Sequence, residues 1–351
     1  EADDSLLLDY FRSFFAEHRA ALGMLGMAEA FTSQSFVAQK IRDQVTRMAR
    51  QFVPAENLAE LGSVLDRLVS EGRTFTADLM GEDVYSRQDA NAYTAQVLQL
   101  IDAVSGRPKA NVSVKPSGLE PNIDSICVDG VRMSAAKERY RIMLRKAIKK
   151  HVFLYLDLED FKMQRFYHRL LRDIWMEPEF RLVQSVGLVL QAEYANADAL
   201  CTEILEFARD RGTPFTIRLV EGAYHDLEIL WALQNGWIVP VSREQGISDV
   251  RYERLTRLIL ENSEVVYGAF ATHNPRSALH ALLLKQDLKV LDDRFEIQML
   301  YGMGDALGSA LIDQAKELGV PKLNLRIYTG YGRIIDSLRY LMRRMQESTA
   351  A

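Results

Sequence analysis

Hydrophobic positions in the first seventy residues recur at helical spacing. Leu7, Tyr10, Phe11, Phe14 and Phe15 fall 3, 1, 3 and 1 apart, which puts them on one face of a 3.6-residue helix. Pro54 interrupts the pattern after Gln51-Phe52-Val53. A second helix is predicted from about Glu56 to Ser70, ended by Gly72. Strand signals are absent here. Residues 1–71 therefore read as a small N-terminal helical arm whose aromatic stripe is packing surface rather than a binding box.

After Gly72 short β-prone runs alternate with helical stretches. Eight runs can be read: Phe75–Leu79, Asn111–Val114, Val152–Leu156, Gly187–Gln191, Thr216–Val220, Val265–Ala271, Phe295–Met299 and Asn324–Ile327. They begin roughly 30 to 50 residues apart, room for one strand, one helix and two loops. Such alternation implies parallel strands joined by right-handed crossovers. Eight units within residues 72–351 predict an α/β fold of the (β/α)8 TIM-barrel type.

Composition changes this picture little. The chain has 351 residues, 48% of them hydrophobic and 26% charged, as in an ordinary soluble globular protein. The 43 basic and 48 acidic residues give a net charge of −5, so no general basic field recruits nucleic acid. Cys127 and Cys201 lie too far apart for a CxxC motif and read as incidental thiols. No apolar run reaches the length of a bilayer span, and the chain opens acidic, as Glu1-Ala2-Asp3-Asp4, without a basic n-region. The expected location is cytoplasmic, or peripheral to the inner membrane. The chain lacks an initiator Met and stops soon after a strongly patterned helix, which leaves open that it is a piece of a longer protein.

In (β/α)8 barrels the chemistry collects at the C-terminal ends of the strands. Here those ends deliver Asp78 and Glu82, Lys115, Asp157 with Glu159 and Asp160, Gln191, Arg218 followed by Glu221 to Asp226, Thr272-His273-Asn274, Gln298 with Leu300 and Tyr301, and Tyr328. Eight polar or aromatic contributions to one rim point to a ligand site. The last helix adds Tyr340, Arg343, Arg344 and Glu347 at spacings of 3, 4 and 7, one face of a helix. Two guanidiniums walled by Tyr340 and Tyr328 suit a small carboxylate, since each offers a planar fork of donors. Lys115 and Asp157 would then form a pair facing the rest of the ligand. His273 has no HxxE, HxxxH or Cys partner, so no metal is expected. Gly302-Met303-Gly304 lacks the third glycine of a dinucleotide fingerprint, Leu307 standing in its place. The glycines after strands five and seven still permit close approach of a cofactor across the mouth.

Assembled in order, these segments resemble the FAD-dependent proline dehydrogenase family. The carriers are Phe75-Thr-Ala-Asp-Leu-Met-Gly-Glu82, Val112-Ser-Val-Lys115, Leu156-Asp157, Val189-Leu-Gln191, Arg218-Leu-Val-Glu-Gly-Ala-Tyr224, Ala271-Thr-His-Asn274, Phe295-Glu-Ile-Gln-Met-Leu300 and Tyr340-Leu-Met-Arg-Arg344. The likeness runs from about Gly72 to Glu347. With Met48-Ala-Arg-Gln-Phe-Val53 ahead of the barrel, it is similar to the dehydrogenase half of bifunctional proline utilization A proteins. No DNA-binding segment and no aldehyde dehydrogenase half accompany it.

The resemblance implies oxidation of L-proline to Δ1-pyrroline-5-carboxylate by hydride transfer to FAD. It assigns catalytic roles to Lys115, Asp157 and Arg218, with Arg218 near flavin N5. Arg343 and Arg344 would bind the carboxylate, and Tyr328, Tyr340, Leu300 and Tyr224 would surround the ring. Asp157, Gln191, Arg218, Val220, Gly222, Ala223, His225, Thr272, His273, Asn274 and Glu347 would line the cofactor, and Glu82 with Arg343 would form a gate. Implied partners are a membrane quinone as electron acceptor and a separate or fused pyrroline-5-carboxylate dehydrogenase.

Three positions depart from the family pattern. Gly330 replaces a frequent proline and is expected to loosen the loop after strand eight. His225 stands where proline utilization A proteins carry tryptophan, and Glu221 replaces a common basic residue. Two other readings compete: a Schiff-base aldolase built on Lys115, and a non-catalytic barrel that binds a partner. For proline oxidation, the nearby Lys115 cation would also disfavour the protonated amine.

Overall fold

The computed structural model describes residues 34–81, 84–123, 130–242, 244–320, 322–337 and 341. The chain divides into two compact units, Glu1–Phe52 and Val53–Ala351. In the first, helix α1 covers Gln34–Phe52. The aromatic stripe from Leu7 to Phe15 lies outside the described residues.

The second unit opens with α2 (Leu58–Ser70). Asn57 caps it, accepting from the backbone N–H groups of Ala59 and Glu60 at 3.1 and 3.0 Å. Leu61, Leu65 and Leu68 recur at 4 and 3 and are buried in the same apolar core as the barrel strands. The sequence reading had placed this helix in the arm. Its apolar stripe instead joins it to the barrel unit.

Eight strands follow: β1 (Thr74–Leu79), β2 (Asn111–Val114), β3 (Phe153–Leu156), β4 (Val186–Gln191), β5 (Phe215–Val220), β6 (Val266–Ala271), β7 (Phe295–Leu300) and β8 (Leu325–Tyr331). They close in sequence order into one all-parallel barrel, β8 returning to β1. This is the (β/α)8 architecture. Helices alternate with the strands on the outside: α3 (Arg87–Val104), α4 (Val131–Lys149), α5 (Gln164–Trp175), α6 (Ala197–Arg211), α7 (His225–Asn235), α8 (Gln245–Glu261), α9 (Pro275–Asp287) and α10 (Asp305–Glu317).

Seven strands lie within one residue of their expected bounds. β8 does not: it runs four residues further, to Tyr331, pairing Asp78 with Gly330 and Leu79 with Tyr331. Gly330 is therefore a strand residue, not a loop residue. An added Cβ there would lie 2.2 Å from Met80 Cε, so the missing side chain makes room for Met80.

Alternate strand positions share a face, and one alternation of this barrel is polar. Asp78, Ser113, Tyr155, Asp157, Gln191, Arg218, Gln298 and Arg326 are all buried. Barrels of this class usually fill that space with branched aliphatic side chains. Low in the barrel, Arg326 Nε donates to Glu296 Oε1 at 2.9 Å, Nη2 donates to Oε2 at 3.0 Å, and Gln298 Nε2 donates to Oε1 at 2.5 Å. Burial opposes the Glu296 charge, but Arg326 outweighs it and lowers the carboxyl pKa.

Candidate active site

Arg218 is the centre of the upper layer. It sits in β5 beside Val189 of β4 and is 3% exposed. Its Nη1 donates to Asp157 Oδ1 at 2.5 Å and to Ser113 Oγ at 3.1 Å. Burial works against the cation, but the Asp157 carboxylate more than offsets it, so the guanidinium pKa is raised. Arg218 Nε and Nη2 are buried without a hydrogen-bond partner among the described residues. Two such donors are costly unless something else accepts from them. Tyr328 Oη donates to the other oxygen of Asp157 at 2.9 Å, and burial keeps that phenol protonated.

Lys115 does not pair with Asp157, as the sequence suggested. Its Nζ donates to both oxygens of Asp78, at 2.9 and 2.7 Å, and Asp78 is 1% exposed. The reason is neighbouring strands: β1 pairs with β2, and Asp78 stands beside Ser113, two residues before Lys115. The Lys115 charge is thus paired with a carboxylate, which weakens the field it can exert on an amine. Schiff-base chemistry also needs a free amine, which a two-point ion pair withholds.

Gln191 ends β4. Its Nε2 donates to the carbonyls of Leu158 and Glu159, at 3.2 and 2.7 Å, and its Oε1 is buried with no partner among the described residues. Val220 pairs with Gln191 and Ala271 across the strands. Gly222 has φ +147°, and a Cβ there would fall 1.9 Å from Glu193 Cδ. The Glu193 carboxyl occupies the space that a side chain at this position would fill. Ala223 is exposed and Tyr224 half-buried at the start of α7. Glu193 accepts from the Tyr224 backbone N–H, and burial pushes its pKa up to about 8.

His225 directs Nε2 to the Ser242 carbonyl at 2.8 Å and Nδ1 to Asp226 Oδ1 at 3.1 Å. Both partners are acceptors. Burial opposes the charge, but Asp226, Ser242 and Glu193 outweigh it, and the imidazole pKa is raised.

Thr272, His273 and Asn274 organise the exit of β6. Thr272 Oγ1 accepts from the Asn274 backbone N–H at 3.0 Å. Asn274 caps α9, its Oδ1 accepting from Arg276 N–H at 3.0 Å and Ser277 N–H at 3.4 Å. His273 Nε2 accepts the backbone N–H of Leu300 at 3.0 Å, which places the ring proton on Nδ1. Leu300 ends β7 opposite Tyr328. Gly304 has φ +69° and leaves room for His273: a Cβ would lie 2.8 Å from Nδ1.

Glu82, Tyr340, Arg343, Arg344 and Glu347 lie outside the described residues. Among the described residues no group of three or more His, Cys, Asp or Glu side chains could hold a metal. No described helix is long and apolar enough to cross a membrane.

Ser113, Tyr155 and Glu193 were missed as site residues, and Asp78 was read only as a strand end. A signal existed for the first two, because Ser113 lies two residues before Lys115 and Tyr155 two before Asp157, on the same strand face. Glu193 had none.

A closed parallel barrel with a partly unsatisfied, buried guanidinium at the C-terminal ends of its strands defines a (β/α)8-barrel protein with a central ligand site. The family profile for proline dehydrogenase matches residues 62–351. Bifunctional protein PutA of Klebsiella aerogenes is 29% identical over 313 residues, 86% of this chain and 24% of that protein. Proline dehydrogenase 2 of Bacillus subtilis is 28% identical over 283 residues, 80% of each chain. The solved structure of proline utilization A from Bdellovibrio bacteriovorus, inactivated by N-propargylglycine, superposes with a TM-score of 0.84 at 31% identity, covering 92% of this chain and 35% of that one. The chain belongs to the proline dehydrogenase family, a family of oxidoreductases. It spans about a quarter of the length of the PutA relatives it matches.

Proposed function

We propose that this chain oxidises L-proline to Δ1-pyrroline-5-carboxylate with FAD as hydride acceptor. The observation that carries the reading is the pair of buried Arg218 nitrogens, Nε and Nη2, left without acceptors at the barrel mouth. Gln191 Oε1, an acceptor without a donor, lies on the adjoining strand. Donors beside an acceptor fit a planar heteroaromatic ring with both kinds of group on its edge, as an isoalloxazine has. When bound, FAD supplies a ring nitrogen that accepts a hydride.

The chain's own residues supply position and charge. Arg218, anchored by Asp157 and Ser113, holds a fixed cation where negative charge develops on reduction. Tyr328 is tied to Asp157, so its ring is held as one wall of the substrate space. On sequence grounds Arg343 and Arg344 take the carboxylate, Tyr340 and Leu300 complete the walls, and Glu82 with Arg343 closes the site. Val220, Ala223, His225, Thr272, His273, Asn274 and Glu347 border the cofactor. Electrons pass onward to a membrane quinone, and the product to a pyrroline-5-carboxylate dehydrogenase, separate or fused.

Anaerobic mixing of the purified protein with L-proline tests this. Bleaching of flavin absorbance near about 450 nm is expected. Bound flavin that stays oxidised favours a non-catalytic barrel, and a colourless protein rules out the flavin itself. N-propargylglycine, which inactivated the Bdellovibrio protein, is expected to inactivate this one.

A further inference from the structure

The layer beneath Arg218 is built from small residues and one large one. Register pairs Tyr155 of β3 with Gly187 of β4, and Gly187 with Thr216 of β5, two residues before Arg218. A Cβ on Gly187 would lie 2.2 Å from Tyr155 Cε1 and 2.5 Å from Cδ1. The glycine therefore lets the Tyr155 ring pass over β4 and reach β5. There the Arg218 guanidinium carbon stands 3.8 Å from the ring centroid. The phenol end is held on the far side, where Tyr155 Oη accepts from Gln298 Nε2 of β7 at 3.5 Å. Tyr155 is 1% exposed, so the contact is made away from water, where a cation over an aromatic face is worth most.

Asp157 and Ser113 both bind Nη1, and a guanidinium held through one nitrogen can still swing about that anchor. A flat ring against its face removes that freedom. We propose that Tyr155 is a positioning residue, whose ring, admitted by Gly187, fixes the plane of the Arg218 guanidinium so that Nε–H and Nη2–H point to the ligand. It rests on the reading of Arg218 given under the proposed function.

Two measurements test it. In the ¹H–¹⁵N spectrum of the full chain, the Arg218 Nε–H proton should be shifted upfield by the ring current, and Tyr155→Leu should remove most of the shift, the Tyr328 ring standing farther off at 5.3 Å, while Tyr155→Phe keeps it. In proline oxidation, Tyr155→Leu should lower kcat about tenfold and leave KM within about twofold, with most of the loss restored by Tyr155→Phe. In an Arg218→Met background the same Leu substitution should cost nothing more. An unshifted Nε–H in the parent chain, or an equal loss from Tyr155→Leu with and without Arg218, overturns the proposal. Absence of proline oxidation in the parent defeats the functional reading instead, and the Nε–H position still decides whether Tyr155 orients Arg218.

Discussion

Asp157 holds Arg218 through a single guanidinium nitrogen, at 2.5 Å, inside the barrel. Removing the carboxylate leaves a buried cation without its counter-charge. Asp157→Ala should therefore destabilise the fold by about 3–5 kcal/mol, the usual result of breaking a buried pair from one side. Asp157→Asn should cost less, because an amide oxygen still accepts from Nη1. Urea denaturation with a shared slope measures both. A loss below 1 kcal/mol for Asp157→Ala would mean that water reaches the guanidinium.

The Lys115–Asp78 pair predicts coupling between two strands. Lys115→Met removes both hydrogen bonds that its Nζ gives to a carboxylate that is 1% exposed, and a loss of about 3–5 kcal/mol is expected. Adding Asp78→Asn should return a large part of it, since the double variant removes both charges of the pair. Strictly additive losses would contradict the pairing.

Glu193 makes stability depend on pH. Its carboxyl has a pKa of about 8 in the folded chain against 4.5 for an ordinary glutamate. Between those values the folded state holds a proton that the unfolded state has released, so stability falls as pH rises from about 4.5 to about 8 and then levels. Glu193→Gln removes that slope. The variant should melt higher than the parent at pH 8.5 and about equal to it at pH 4.5. Parallel melting curves across that range would show Glu193 to be hydrated.

The proposed carboxylate clamp is tested at Arg343 and Arg344. Each charge-assisted hydrogen bond lost on changing to Met should weaken proline binding by roughly 1.5–3 kcal/mol, about a 10- to 150-fold rise in KM. Unchanged KM in the double variant would remove both from the site.

Much of this was legible in the sequence because strand, helix and loop alternate with the period of parallel βα units, and eight such units are the number that closes a barrel. Phe75, Asn111 and Phe295 mark strand starts to within a residue because turn residues or charges precede them. The end of β8 was not legible: the glycines of Gly330-Tyr331-Gly332 read as a turn, and the extended run is seen only from its pairing with β1. Partner choice was likewise hidden. Lys115 and Asp157 are both strand-end charges, and which carboxylate Lys115 meets depends on barrel register, which local composition does not encode. Glu193 lacked any sign because its burial comes from the chain passing at Gly222, a contact between two separate loops.

β8 pairs with β1 at six consecutive positions, while β1 meets β2 at two and β3 meets β4 at two. One of the two longest seams, equal to that of β5 with β6, thus joins strands about 250 residues apart in sequence. Loop closure over that span is entropically dear, and it is repaid only once residues 325–331 arrive. Until those residues have been synthesised, β1 and β7 each have an edge that no other strand can pair. The barrel therefore cannot close around the Asp78–Lys115 and Asp157–Arg218 pairs before residues 325–331 are in place, and only the closed barrel excludes water from them.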